Sequence, residues 1–146
     1  KLIDKYSPSR VARSRRNSWR SRDEAYDHFR QKTMFRNFDE DVLRDYVKHA
    51  TIEGENNLNL FFEPKIEAKI YRTIPHSFTK FRGKLKVPAY YIGGTQSREA
   101  RLARLGFMKK NFPFEFHKIN GTHLFPFEKP LETAKMIKKL IQHLSN

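Results

Sequence analysis

A chain of 146 residues, 38% of them hydrophobic, can bury one modest core, and its 13 phenylalanines exclude a fully disordered polymer. With 30 basic against 16 acidic residues the formal net charge is +14, a field that attracts nucleic acid, an anionic membrane surface or an acidic partner. The lack of cysteine excludes disulfides, a thiol nucleophile and thiolate metal sites, and no apolar run approaches the roughly 18 residues of a membrane-spanning helix.

Leu2-Ile3-Asp4 has the look of the tail of a strand, and Pro8 breaks the chain after it. Ser21-Arg22-Asp23-Glu24 is a capping box, with Ser21 as N-cap. The helix it opens places Ala25, Phe29 and Met34 on one side. Asn37-Phe38-Asp39-Glu40 starts a second helix with the apolar stripe Val42, Leu43, Tyr46 and Val47, its acids at the positive end and Lys48 and His49 at the other. A turn over residues 53–57 leads into the alternating Leu58, Leu60 and Phe62, an extended segment that Glu63-Pro64 stops, and residues 66–71 read as a short helix.

The texture then changes. Residues 85–92, Leu-Lys-Val-Pro-Ala-Tyr-Tyr-Ile, form an apolar run ended by Gly93-Gly94, the pattern of a buried parallel strand. Ser97 caps a helix over residues 98–105 with Ala100, Leu102 and Ala103 inward. Residues 112–119 are the next strand, starting after Pro113. Leu131, Ala134, Ile137, Leu140, Ile141 and Leu144 line a final amphipathic helix. Residues 85–146 are thus a βαβα unit, and residues 1–84 a helical region with one short extended segment. Two strands do not make a stable parallel sheet, so the unit calls for further strands from other chain or a partner.

Between the last strand and the last helix, Asn120-Gly121-Thr122-His123-Leu124-Phe125-Pro126-Phe127-Glu128-Lys129-Pro130 holds one histidine in a tight loop. This segment, with Val87-Pro88 to Gly93 before it, resembles the histidine loop of the α/β-hydrolase superfamily. Residues 12–25 and 35–46 resemble the helical cap of that superfamily's fungal lipase, esterase and epoxide-hydrolase-like group. Glu63-Pro64-Lys65-Ile66-Glu67-Ala68-Lys69-Ile70-Tyr71 is similar to the segment that returns such caps to the sheet. The implied fold is an incomplete α/β-hydrolase fold, with residues 1–84 as cap or lid and residues 85–146 as the C-terminal part of the core. The resemblance also implies a serine nucleophile on a Gly-x-Ser-x-Gly elbow, an acid and a histidine, in that chain order. Of these, His123 matches the histidine, as general base and then general acid. No such elbow and no oxyanion segment occur in the 146 residues. For the acid, Asp4 holds the position after the strand that precedes the cap, and Glu99 is near the position after the next strand, where Gly93-Gly94-Thr95-Gln96-Ser97 itself carries no carboxylate; a third reading leaves the acid outside this segment.

Two functions follow. One is the C-terminal portion of a serine hydrolase for carboxylic esters or lipids, whose partners are the N-terminal half of the fold and a small ester or lipid substrate, with no cofactor. The other is a catalytically inactive hydrolase-like domain acting as a basic structural or RNA- or ribonucleoprotein-binding subunit; the charge is compatible with an anionic partner, RNA or a membrane surface. Plainer readings stand beside the motifs. His123 can be an ordinary loop histidine, and Glu128 a residue favoured by a helix dipole. His28 and His49 read as surface groups, and His76 and His117 lack metal-ligand spacing, so no metal is expected. Arg10, Arg13, Arg15, Arg16, Arg20 and Arg22 read as a solvated cap face, some pairing with acids of the other half, more readily than as a phosphate site. Residues 7–22 faintly resemble a transit peptide, but Trp19 and the helix after it read as structural. The chain ending Leu144-Ser145-Asn146 is not a peroxisomal tripeptide and no secretory segment opens the chain; the expectation is an intracellular protein, with a mitochondrial or peroxisomal setting compatible with its charge.

Overall fold

The capping box read from the sequence forms, and it anchors the first unit. Ser21 has extended backbone and its hydroxyl accepts the Glu24 amide at 3.2 Å. The Glu24 carboxylate accepts the Arg20 amide at 2.6 Å and pairs with the Arg16 guanidinium at 2.6 Å. The Arg20 amide first, and Arg16 second, hold its carboxyl below the usual range. The structure is a computed structural model describing residues 8–73, 78–102 and 105–144, so Asp4 and the strand expected beside it lie outside the described residues.

These residues fall into two compact units, the first drawn from the segments up to Arg36 and from Leu43 to His76, the second from Asn37–Val42 and the chain from Ser77 onward. In the first, α1 (Pro8–Ser14), α2 (Arg22–Arg30), α3 (Glu40–Ala50) from Leu43 onward and α4 (Pro64–Arg72) accompany a small antiparallel sheet. Pro8 opens α1 instead of breaking the chain, because a proline at the first helical position gives up an amide that has no partner there anyway. α1 packs against α4. Their buried residues are small, Ala12 at 4% and Ala68 at 1% exposure, and Arg15 reaches Glu67 at 2.7 Å. The sheet order is β1 (Ser18–Trp19), β3 (Leu58–Leu60), β2 (Thr51–Glu53). The turn expected over 53–57 joins β2 to β3, with the Gly54 amide donating to the Asn57 carbonyl at 2.7 Å.

The core of this unit is aromatic. Trp19 is 1% exposed, with its ring 5.2 Å from Phe29, and Phe29 lies 5.0 Å from Phe35 and 5.2 Å from Tyr46. Leu43 and Val47 are buried as their helical spacing predicts. Met34 is not: at 59% exposure it lies in the turns after α2, which ends at Arg30. Phe62, at 40%, follows the end of β3 and also stays out. His28, expected at the surface, is half-buried 5.6 Å from both Trp19 and Phe29. Three of the six N-terminal arginines pair with carboxylates of their own unit, Arg15 with Glu67, Arg16 with Glu24 and Arg22 with Glu53, so these three need no acids from elsewhere.

The second unit contains a 3-10 turn (Phe78–Phe81), β4 (Ala89–Gly94), α5 (Arg98–Leu102), α6 (Leu105–Asn111), β5 (Phe114–Ile119), α7 (Phe125–Glu128) and α8 (Pro130–Leu144). β4 begins four residues later than the apolar run because Pro88 has no amide to give a ladder. It pairs with β5 in parallel, from Ala89 opposite Phe114 to Gly94 opposite Ile119, so both strands end together. The helix expected over 98–105 is represented by α5, and the side chains of Leu102 and Ala103 lie outside the described residues. α6, with Phe107 and Lys109, borders the face carrying Phe112, Phe114 and Phe116, with the Lys109 ammonium 5.1 Å from the Phe116 ring centre. On the opposite face, Glu115 and His117 and the α8 residues Leu140 and His143 line an open depression of about 410 Å³. Asn37–Val42 joins this unit through Phe38, stacked 5.1 Å from Phe127, and the Asp39 amide, which donates to the Phe127 carbonyl at 2.9 Å.

Two expectations about burial fail here. Residues 89–92 of β4 are half-buried, not buried throughout, since the parallel sheet has two strands among the described residues. The α8 stripe faces outward, with Leu131 at 77%, Ile141 at 56%, Leu144 at 46% and Ile137 at 43% exposure, while Leu140 and Thr133 are buried. Helical periodicity marks an apolar face, but only a covering layer buries it.

His28 supplies a test of the first core. Burial, then the charges of Lys32 and Arg16, lower its pKa. The unfolded chain therefore takes up a proton at higher pH than the folded one, and the stabilisation this gives above the ordinary imidazole range is lost as pH falls through the depressed folded value. Thermal unfolding at about pH 7.5 and about pH 5.5 is expected to show a loss of stability in acid that shrinks in His28→Gln.

Candidate active site

Parallel pairing brings two loops out at the same end of the sheet, residues 95–97 after β4 and residues 120–124 after β5. Ligand sites of open parallel sheets form at this carboxyl end. The loops are tied by backbone: the Thr95 amide donates to the Ile119 carbonyl at 2.8 Å, and the Gln96 amide to the Gly121 carbonyl at 2.9 Å. The Asn120 side-chain oxygen accepts from Thr95 Oγ1 at 3.1 Å and Gln96 Nε2 at 3.3 Å. A β-carbon on Gly94 would meet the Thr122 carbonyl at 1.9 Å, so only glycine lets the strand end pass this close to the histidine loop. Gly121 is similarly confined, with Phe125 Cβ and Glu128 Oε2 each 2.8 Å from where its β-carbon would stand.

Glu128 holds the histidine loop. Its carboxylate accepts the Thr122 amide at 2.9 Å and, through its other oxygen, the Thr122 hydroxyl, whose oxygen in turn accepts the Leu124 amide at 3.1 Å. Both neighbours of His123 are thereby fixed. This role was not legible in the sequence, which suggested a helix-dipole residue; Glu128 instead ends the short helix α7, and the turn of that helix aims its carboxylate back at Thr122.

His123 itself is exposed. Its Nδ1 lies 3.3 Å from Ser97 Oγ. Ser97 caps α5, as its position predicts, by accepting the Ala100 amide at 3.0 Å, and Glu99 Oε2 lies 3.5 Å from the same hydroxyl. Ser97 is only 3% exposed, and its oxygen already serves as a cap, so it is poorly placed to attack a substrate. The contact between Ser97 and His123 is a second feature the sequence did not signal, because 26 residues separate them and only the parallel register brings them together. Asp4 lies outside the described residues, and the Glu99 carboxylate accepts from Ser97. Among the described residues no group of three or more histidine, cysteine or carboxylate residues is disposed to hold a metal ion, and no helix is long and apolar enough to cross a membrane.

The sequence matches no protein-family model and no curated protein. Solved structures do match. The peroxisomal α/β-hydrolase Lpx1 (Yor084w) of Saccharomyces cerevisiae superposes with a TM-score of 0.76 at 15% identity, over 94% of this chain and 40% of that one. The chain has part of an α/β-hydrolase fold. E-2-(acetamidomethylene)succinate hydrolase matches with a TM-score of 0.73 at 15% identity, over 92% of this chain and 50% of that one. A thioesterase domain from the curacin biosynthetic pathway matches with a TM-score of 0.64 at 16% identity, over 82% and 42%. The chain thus spans half or less of the length of these hydrolase-fold structures.

Glu128→Ala is expected to free the Thr122 and Leu124 amides, raising their hydrogen-exchange rates by about tenfold or more, since one lost hydrogen bond to a charged group is worth about 1.5–3 kcal/mol. Unchanged exchange at both amides would show that the carboxylate does not hold this loop.

Proposed function

We propose that this chain supplies the cap, residues 1–84, and the C-terminal core, residues 85–146, of a serine hydrolase acting on carboxylic esters or lipids. The observation that carries the reading is His123: an exposed imidazole in a braced loop at the carboxyl end of parallel strands, engaged at Nδ1 and, among the described residues, without a hydrogen bond at Nε2. In such a site Nε2 takes the proton of a serine hydroxyl as the serine attacks the ester carbonyl, and then gives it to the leaving alkoxide. The serine and the oxyanion donors belong to sequence beyond these 146 residues, which contain no Gly-x-Ser-x-Gly. The outward apolar stripe of α8 and the half-buried β4 support the same reading, because both are surfaces that further layers of the fold would cover.

The alternative, a catalytically inactive basic subunit that binds RNA or an anionic membrane, is motivated by the net charge of +14. Three of the arginines that would form its anion-binding face are instead paired with carboxylates, which favours the hydrolase.

The deciding experiment is ester turnover and fluorophosphonate labelling of the intact protein. Labelling of a serine is expected, and His123→Ala should cut turnover by about a hundredfold to ten-thousandfold. Absence of labelling, or turnover indifferent to His123, would remove the catalytic reading and leave the binding one.

A further inference from the structure

From the contacts around His123 we infer that Ser97 and Glu99 act as a positioning pair that selects the imidazole tautomer, the hydroxyl of Ser97 accepting from Nδ1 and donating to the Glu99 carboxylate. The inference rests on the proposed role of His123 and concerns how its ring is prepared for it. A serine hydroxyl has one hydrogen and two acceptor sites. One acceptor site of Ser97 is taken by the Ala100 amide at 3.0 Å. Among the described residues its other hydrogen-bonding neighbours are His123 Nδ1 at 3.3 Å and Glu99 Oε2 at 3.5 Å. An ionised carboxylate can only accept, so the Ser97 hydrogen is the one that can lie between these two oxygens. With that hydrogen on the Glu99 side, the second lone pair of Ser97 faces Nδ1, and Nδ1 must carry its proton to make the contact. Nε2 is then left with a free lone pair, the form a general base needs. Turning the hydroxyl toward Nδ1 instead would set two acceptor oxygens against each other and put the proton on Nε2.

The spacings are looser than the roughly 2.9 Å usual for an N–H···O bond and the roughly 2.7 Å usual for an O–H···O bond, as is common for catalytic hydrogen bonds before substrate closes the site. Geometry distinguishes the arrangement from direct carboxylate–histidine pairing. Gly93-Gly94-Thr95-Gln96-Ser97 offers no carboxylate, and the buried Ser97, pinned as a helix cap, is the group the fold presents to the ring.

The test is the tautomer of His123 in the intact protein, read from long-range proton–nitrogen spectra of isotope-labelled histidine, with the resonance assigned by its loss in His123→Gln. The protonated-Nδ1 form is expected to predominate and to persist in Ser97→Thr, which keeps the hydroxyl. In Glu99→Ala the ratio should move several-fold toward the protonated-Nε2 form. The signals of the other histidines should stay in place, showing that the fold is intact. A wild-type ring protonated at Nε2, or a ratio unmoved by Glu99→Ala, overturns the inference. Failure of the catalytic reading looks different: the tautomer would still respond to Glu99 while turnover ignored His123→Ala.

Discussion

The second unit depends on one close approach, the backbone of Gly94 against the carbonyl of Thr122. At 1.9 Å from the position of a β-carbon, that carbonyl admits no side chain, and the approach lets amides of one loop reach carbonyls of the other. Parallel strands make such an approach available because they finish at the same end. Glu128 then braces the second loop from behind, on a segment whose two prolines, Pro126 and Pro130, constrain the path between α7 and α8. An exposed imidazole would ordinarily wander, but one whose flanking amides are both engaged has little freedom left beyond its own side-chain torsions.

The two units reach stability by different means. The first encloses an aromatic core in which Trp19 and Leu43 are almost completely buried, and it trims its positive charge with ion pairs formed inside the unit. These pairs are surface-exposed to varying degrees and contribute little energy individually. Their consequence is electrostatic: arginines already facing carboxylates present a weaker field to a polyanion than the bare count of 30 basic residues suggests. The second unit buries less. Its parallel sheet is half-buried along β4, and the apolar stripe of α8 faces outward.

The capping box, the amphipathic stripe of α3, the turn at 53–57, the starting point of β5 after Pro113 and the histidine between the last strand and helix were all legible in the amino-acid sequence. Each is dictated by short-range chemistry: a hydroxyl meeting an amide three residues on, a helical period, a proline without a donor. What only the tertiary structure decided lies at longer range. That His28 joins Trp19 and Phe29, that Ser97 faces His123, that Glu128 turns back onto Thr122, and that the α8 stripe stays outside all depend on which elements become neighbours and on what covers them. Local patterns prescribe the elements and their polarity along the chain; the meeting of groups many residues apart follows from strand register and packing, which no single segment carries.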